Sequence, residues 1–388
     1  MTPAARYAAA IEILDKILAG VAAEKVLTNW ARSNRFAGSG DRYALRDIVF
    51  DVLRCKRSFA SLGGAETGRG LVLGALRAAG LPPESVFSGA GYAPAPLSAE
   101  EQAAGRAPSD FAALDCPDWL APELQRSLGV DFAPIMHCLQ SRAPVFLRVN
   151  LRKATLESAV QSLAAEGIAT RPSGLAKTAL EVTENPRKVQ NSAAFQSGLV
   201  ELQDAASQAV VEMLPLGAGA RVLDYCAGGG GKSLAMAGQC NARYFAHDIA
   251  PERMKDLPVR AKRAGVSIDL VATAALRKAA AFDLVFADAP CSGSGSWRRA
   301  PESKWALTQE RLTELCSIQS DVLAKASALV SKSGFLCYAT CSLLQVENED
   351  RINAFFAQNT DWTLIRQGVF TPLEGGDGFY FATLKRLS

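Results

Sequence analysis

Histidine is nearly absent from this sequence, with only His137 and His247 among 388 residues. Few metal sites and few of the usual proton carriers at neutral pH can therefore be built. No run of about 18 apolar residues occurs, so no membrane-spanning helix is expected. Met1-Thr-Pro-Ala-Ala-Arg lacks the basic-then-apolar pattern of a signal peptide. The nine cysteines show neither metal-ligand spacing nor a disulfide-like framework, which predicts a reducing, cytoplasmic setting and no bound metal. Cys337 and Cys341 form a C-x₃-C pair without partner ligands. No internal repeat is found. What is present, 49% hydrophobic and 21% charged residues, is an ordinary globular composition, long enough for two or three domains.

The net charge of +3 says less than its distribution. Between residues 141 and 200, Arg142, Arg148, Arg152, Lys153, Arg171, Lys177, Arg187 and Lys188 face only Glu157, Glu166, Glu181 and Glu184. Such a surplus suits a polyanionic partner, although a solvated face reads the same way. The same stretch has strand 145–150, helix 156–166 and a strand near 180–182, a small α/β module. Before it, residues 3 to about 80 read as helices, with Arg42, Arg46 and Arg54 interleaved among Leu45, Ile48, Val49, Val52 and Leu53. These arginines either grip phosphates or form a polar helix face. Residues 80–108, rich in Pro, Gly, Ala and Ser, read as a long connection with a short helix from Ser98.

From Asp204 onward the pattern becomes βα alternation. Phe282–Ala287 reads as a strand running into Asp288-Ala289-Pro290-Cys291-Ser292-Gly293. Phe335–Ala339 reads as another, running into Thr340-Cys341-Ser342. Ligands of open α/β sheets sit outside the carboxyl ends of the strands, so these two thiols are candidates for chemistry. Arg298, Arg299, Lys304 and Trp305, just beyond, suit single-stranded RNA by phosphate contact and stacking. The chain closes with Trp362–Arg366 and Gly378–Lys385, an expected antiparallel pair.

Strand Arg221–Asp224 leads into Cys226-Ala227-Gly228-Gly229-Gly230-Gly231-Lys232-Ser233 and a helix, a cradle of backbone N–H groups. A triphosphate P-loop needs glycine six positions before its lysine, where Cys226 stands. No clean dinucleotide fingerprint is present either. The remaining common ligand is S-adenosylmethionine: Asp224 ends the first strand and orients the loop or the cofactor's amino end, and Asp248 ends the second strand where an acid accepts ribose hydroxyls.

Together, Asp204-Ala-Ala-Ser-Gln, Asp224-Tyr-Cys-Ala-Gly-Gly-Gly-Gly-Lys232, Asp288-Ala-Pro-Cys291-Ser-Gly, Thr340-Cys341-Ser342 with Glu347-Asn348-Glu349, and Asp377-Gly-Phe-Tyr380 resemble the Sun/NOP (RsmB-like) family of RNA 5-methylcytosine methyltransferases. The motifs cover roughly residues 195–388. Phe146-Leu-Arg-Val-Asn150 resembles the RNA-binding segment that precedes them in the family, and the N-terminal helices resemble, more loosely, a NusB-like domain.

The resemblance implies an α/β protein. A class I (Rossmann-like) methyltransferase domain would occupy 204–388, a basic α/β RNA-binding module 141–203, and an all-α NusB-like domain 1–140. It implies a monomeric, cytoplasmic enzyme that methylates cytosine C5 in RNA, in particular small-subunit (16S) ribosomal RNA, using S-adenosylmethionine, with no metal and no membrane. Cys341 would be the nucleophile and Cys291 would assist release, as base or by orienting one. Asp288 would hold the cytosine edge, and Lys232 would face the thiols. Asp224, Cys226, Ala227, Gly228, Gly229, Gly230, Gly231, Lys232, Asp248, Arg253, Thr273, Asp288 and Pro290 would hold the cofactor. Two departures stand out. Gly229 replaces a usual proline, and Val271-Ala272-Thr273-Ala274 lacks the aspartate that usually follows the third strand, leaving adenine to Thr273 or a backbone group. Competing readings are transfer RNA as substrate, DNA cytosine methylation, and a ribosome-assembly factor that binds RNA without turnover.

Overall fold

The computed structural model describes residues 1–276, 279 and 281–387. It divides into two units, Met1–Arg142 with Trp297–Leu307, and Ala143–Ser296 with Thr308–Ser388.

The described residues of the first unit form helices and their connections. Thr2 accepts the Ala5 N–H and caps helix Pro3–Leu18, whose proline needs no donor at its first turn. That helix buries Ile13 and Leu14 against Leu45, Val49 and Leu53 of helix Ser39–Arg54 and Leu71 and Val72 of helix Gly68–Ala78. The short helix expected after Ser98 is Ala99–Ala103, opened by a Ser98/Glu101 capping box.

Within this unit the reading of Arg54, Arg298, Lys304 and Trp305 as RNA contacts is corrected. Arg54, Arg298 and Lys304 are 6%, 3% and 1% exposed. Arg54 Nε donates to the Arg298 carbonyl at 2.7 Å, Lys304 Nζ to the Arg54 carbonyl at 3.3 Å, and Trp305 Nε1 to the Leu53 carbonyl at 2.6 Å. Burial pushes the Lys304 pKa down to about 8, against the pull of Asp115 and two thiols. These side chains bind segment 297–307 to the end of helix Ser39–Arg54. Arg299 is exposed.

The second unit holds two sheets. The smaller has β1 (Val145–Val149), β2 (Thr170–Pro172), β3 (Ala179–Val182) and β4 (Val200–Leu202) in the order β2-β3-β1-β4, all antiparallel. Helix Leu156–Ala165 packs Ala159 and Leu163 on its apolar face. Part of the local basic surplus is tied to acceptors within this unit. Arg148 is 7% exposed and donates to Gln203 Oε1 at 2.5 Å and to the Gly231 carbonyl at 2.8 Å, and its burial lowers its pKa to about 10. Arg152 donates to the Ala237 and Cys240 carbonyls, and Lys153 to those of Ser197 and Arg263. Replacing Arg148 by Met removes the bonds to Gln203 Oε1 and the Gly231 carbonyl and is expected to cost about 1–3 kcal/mol, seen as a lower midpoint in denaturant unfolding.

The larger sheet contains β5 (Arg221–Asp224), β6 (Arg243–Ala246), β7 (Ile268–Leu270), β8 (Phe282–Asp288), β9 (Val330–Thr340), β10 (Trp362–Phe370) and β11 (Phe379–Arg386) in the order β10-β11-β9-β8-β5-β6-β7. Strands β7 through β9 in that order run parallel. Strand β11 returns antiparallel to β9 and pairs with β10 in the expected terminal hairpin. The apolar runs of β8 and β9 are buried on both faces, as a parallel sheet covered by helices requires. The chain leaves β5 toward β6 on one side, while β8 lies on its other side. That reversal opens a crevice at the carboxyl ends of β5 and β8.

Candidate active site

A cavity of about 1240 Å³ occupies this crevice. Asp224, Cys226, Ala227, Gly228, Gly229, Gly231, Lys232, Asp248, Arg253, Thr273, Asp288, Pro290, Cys291 and Cys341 all line it. Of the catalytic and cofactor residues expected from the sequence, Gly230 alone is missing from its wall. Its part is conformational: φ is +77°, and a Cβ there would lie 2.2 Å from Leu257 Cδ1, so only glycine lets the loop turn into helix Gly231–Gln239.

One end of the cavity fits a cofactor carrying an ammonium group and a ribose. Asp224 is 1% exposed; its Oδ2 accepts the Ser233 hydroxyl at 2.5 Å, whereas its buried Oδ1 has no partner among the described residues. Burial raises this carboxyl to about pKa 7, against the opposing Ser233 bond. An ammonium donor would satisfy Oδ1 and restore the charge. Asp248 accepts the Gly228 N–H at 2.8 Å, the Ala250 N–H at 2.9 Å and Arg253 Nη1 at 3.1 Å. These use three of the roughly four acceptor positions a carboxylate offers.

Below Asp248, His247 is 1% exposed and its Nδ1 lies 2.7 Å from the Tyr225 carbonyl, so that nitrogen carries the proton. Nε2 then accepts the Thr273 hydroxyl at 2.9 Å. This bond leaves the Thr273 oxygen lone pairs as acceptors at the cavity wall, where the missing aspartate would have supplied them. His247 and the exposed Ile249 were not singled out from the sequence. A lone apolar residue after a strand carries no signal, but a histidine beside a strand-end acid could have been weighed.

At the other end, the parallel pairing of β8 and β9 brings the two cysteines together, Sγ to Sγ 3.4 Å. Lys232 Nζ donates to Asp288 Oδ2 at 2.5 Å. Burial alone would lower the lysine's pKa, but the Asp288 carboxylate outweighs it and raises the pKa, so the ammonium stays charged. The two thiols differ. The S–H of Cys291 donates to Cys341 and lowers its pKa; burial and Asp288 oppose this, and Lys232 and the Ser296 hydroxyl assist it. Cys291 is raised by that same bond, by burial and by the negative charges of Cys341, Glu347 and Asp288. Cys341 is therefore the sulfur that ionises first. Cys226 is raised by burial and has no such helper at the head of its causes, which suits packing.

The Cys291 loop is held from below by the motif that closes the chain. Gly295 N–H donates to the Cys341 carbonyl and Gly378 N–H to the Gly295 carbonyl, both at 2.9 Å. A Cβ on Gly295 would sit 2.1 Å from the Gly378 oxygen, so the contact requires glycine. Asp204 Oδ1 accepts both the Ala206 and Asp377 N–H groups, joining the first and last motifs of the catalytic region.

A seven-stranded sheet in this order, with a glycine loop after β5, acids ending β5 and β6 and an antiparallel β11, defines the class I methyltransferase fold, whose members draw their methyl group from S-adenosylmethionine. Residues 211–385 match the family model of 16S rRNA methyltransferase RsmB/F, and residues 116–190 match that of the RsmF/B-like ferredoxin-like domain. The ribosomal RNA small subunit methyltransferase B of Xylella fastidiosa is 34% identical over 287 residues, 69% of this chain and 68% of that protein. That of Citrobacter koseri is 32% identical over 284 residues, 69% of this chain and 66% of that protein. The chain thus spans about two thirds of the length of the relatives it matches, and it belongs to the RsmB/F family of ribosomal RNA methyltransferases. Among solved structures, PH0851 superposes with a TM-score of 0.76 at 21% identity, covering 100% of this chain and 99% of that one. A methyltransferase homologue from Pyrococcus horikoshii gives 0.62 at 23% identity, covering 71% and 96%. At these identities the likeness is one of fold.

Proposed function

We propose that this protein methylates carbon 5 of a cytosine in small-subunit ribosomal RNA. The observation that carries this reading is the pair of unequal thiols, 3.4 Å apart, beside Lys232 and Asp288 in the cofactor cavity. S-adenosylmethionine, when bound, supplies an electrophilic methyl group. Asp224 would hold its ammonium, Asp248 its ribose and Thr273 its adenine amino group, along the glycine loop. The chemistry would lie in 204–388, while the helical region 1–140 and the module 141–203, with exposed Lys177, Arg187 and Lys188, would hold the RNA.

Cytosine C5 is too poor a nucleophile to be methylated directly. The Cys341 thiolate adds to C6, and the ring nitrogen takes up the proton that Cys291 gives up, along the edge held by Asp288. The ring is then an enamine with electron-rich C5. Once Cys341 is bonded to carbon, its charge and its claim on the Cys291 proton are gone, and these are the leading causes that kept Cys291 a thiol apart from burial. C5 would take the methyl group as that carbon's bond to the cofactor's sulfur breaks; the Cys291 thiolate can then take the C5 proton, the C6–S bond breaks, the C5–C6 double bond re-forms, and the proton on the ring nitrogen goes to solvent. Lys232 stabilises Cys341 as it leaves. The base must be unstacked to reach these sulfurs.

The test is incubation with methyl-labelled S-adenosylmethionine and RNA from methylation-deficient cells, followed by nucleoside mass spectrometry. Label in 5-methylcytidine of 16S ribosomal RNA is the expected outcome. Label in another nucleoside, in transfer RNA alone, or in no RNA despite cofactor binding would overturn the reading.

A further inference from the structure

The two thiols share one cavity, and their mutual bond and Lys232 account for part of their difference. Bonded to both cysteine loops is Glu347, which is 0% exposed and lies in the loop after β9. Its Oε1 accepts the Ser292 N–H at 2.8 Å and Gln319 Nε2 at 2.9 Å. Its Oε2 accepts the Ser292 hydroxyl and the Ser342 hydroxyl, each at 2.5 Å. Ser292 follows Cys291 directly, and Ser342 follows Cys341 directly. One carboxylate therefore ties both cysteine loops to a common point. Gln319 extends the tie by donating to the Pro290 carbonyl at 2.9 Å, on the other side of Cys291.

All four donors are neutral, and no cation pairs with Glu347 among the described ion pairs. The field of a carboxylate buried among hydroxyl and amide donors is screened less than that of one on the surface. Its neighbour on one side is Cys291; Lys232, the nearby cation, acts on Cys341. The charged and titratable groups around Cys291 are Cys341, Glu347 and Asp288, with Tyr338 behind them, whose hydroxyl donates to the Glu347 carbonyl at 2.7 Å.

We propose that Glu347 is a positioning residue that widens the difference between the two thiols: its carboxylate fixes the spacing of the cysteine loops and adds to the negative field that holds the proton on Cys291. This deepens the proposed reading by dividing the roles of its two sulfurs, yet it can be tested without RNA, so either can fail alone.

The experiment is iodoacetamide labelling of the full chain from about pH 6 to pH 10, read separately for the two cysteines by peptide mass spectrometry. In the wild type, Cys341 should react roughly tenfold or more faster than Cys291 near neutral pH. Glu347→Gln removes the charge and keeps the shape. It should bring the Cys291 midpoint down by about one pH unit and narrow the rate gap, and Glu347→Asp should restore much of it. A Glu347→Gln protein that melts like the wild type and leaves the Cys291 midpoint in place overturns the proposal. So does a rise in both rates with unmoved midpoints, the mark of loops merely loosened. Should Glu347→Gln fail to fold, Ser292→Ala decides, since it removes one hydroxyl donor but keeps the charge. Its Cys291 midpoint should stay or rise, and a fall overturns the proposal.

Discussion

Cys291→Ala protein incubated with target RNA and S-adenosylmethionine should run as an RNA-shifted band on a denaturing gel, and Cys341→Ala should not. Without Cys291 the Cys341 thiolate can still attack C6, water supplying the ring proton, and the methyl group can still be accepted. What is missing is the sulfur 3.4 Å away that would take the C5 proton, so the C6–S bond persists. Cys341 also loses the S–H bond that heads the causes of its ionisation, so the band should form more slowly at lower pH than at higher. Cys341→Ala should lower turnover on the order of 10⁴-fold or more, the scale on which covalent nucleophiles act. A band that appears only when Cys341 is removed would reverse the two roles.

Cofactor affinity should fall as pH drops below 7. In the free protein Asp224 is held near pKa 7 by burial, so below that value it is mostly protonated. Seating an ammonium on its open Oδ1 requires the proton to leave. Affinity should therefore weaken up to about tenfold per pH unit below 7 and level off above it. Calorimetry at about pH 6 in two buffers of different ionisation enthalpy should show close to one proton released per cofactor bound. Asp224→Asn should bind at least roughly tenfold more weakly at pH 8 and show a flat profile. A flat wild-type profile would place the ammonium elsewhere.

The parts of this site that could be read from sequence are those that end strands. A short apolar run followed by Asp-Ala-Pro-Cys or Thr-Cys-Ser fixes where a side chain falls relative to a sheet, and β8 and β9 do lie side by side as that reading required. The same logic located Asp224 and Asp248. It fails for residues that act through a loop. Nothing in the spacing of Glu347 tells that its side chain turns under both cysteines, because the turn Gln345–Glu347 has no period to project. It fails also for direction. Arg298, Lys304 and Trp305 have the composition of an RNA contact, but polar groups can be buried where backbone carbonyls receive them, and helix ends such as Leu53 and Arg54 offer such carbonyls. The edge strands β2 and β4 escaped notice because three residues are too few to show alternation.

The place of β11 bears on how the protein is made. It pairs with β9 on one side and β10 on the other, and the glycine just before it clamps the Cys291 loop through Gly295. A nascent chain that has not yet delivered β11 presents β9 as an open edge and carries both thiols on unclamped loops. The segment that completes the nucleophile's surroundings thus leaves the ribosome after both thiols. A polypeptide interrupted before Gly378 is left without the clamp that shapes its reactive centre.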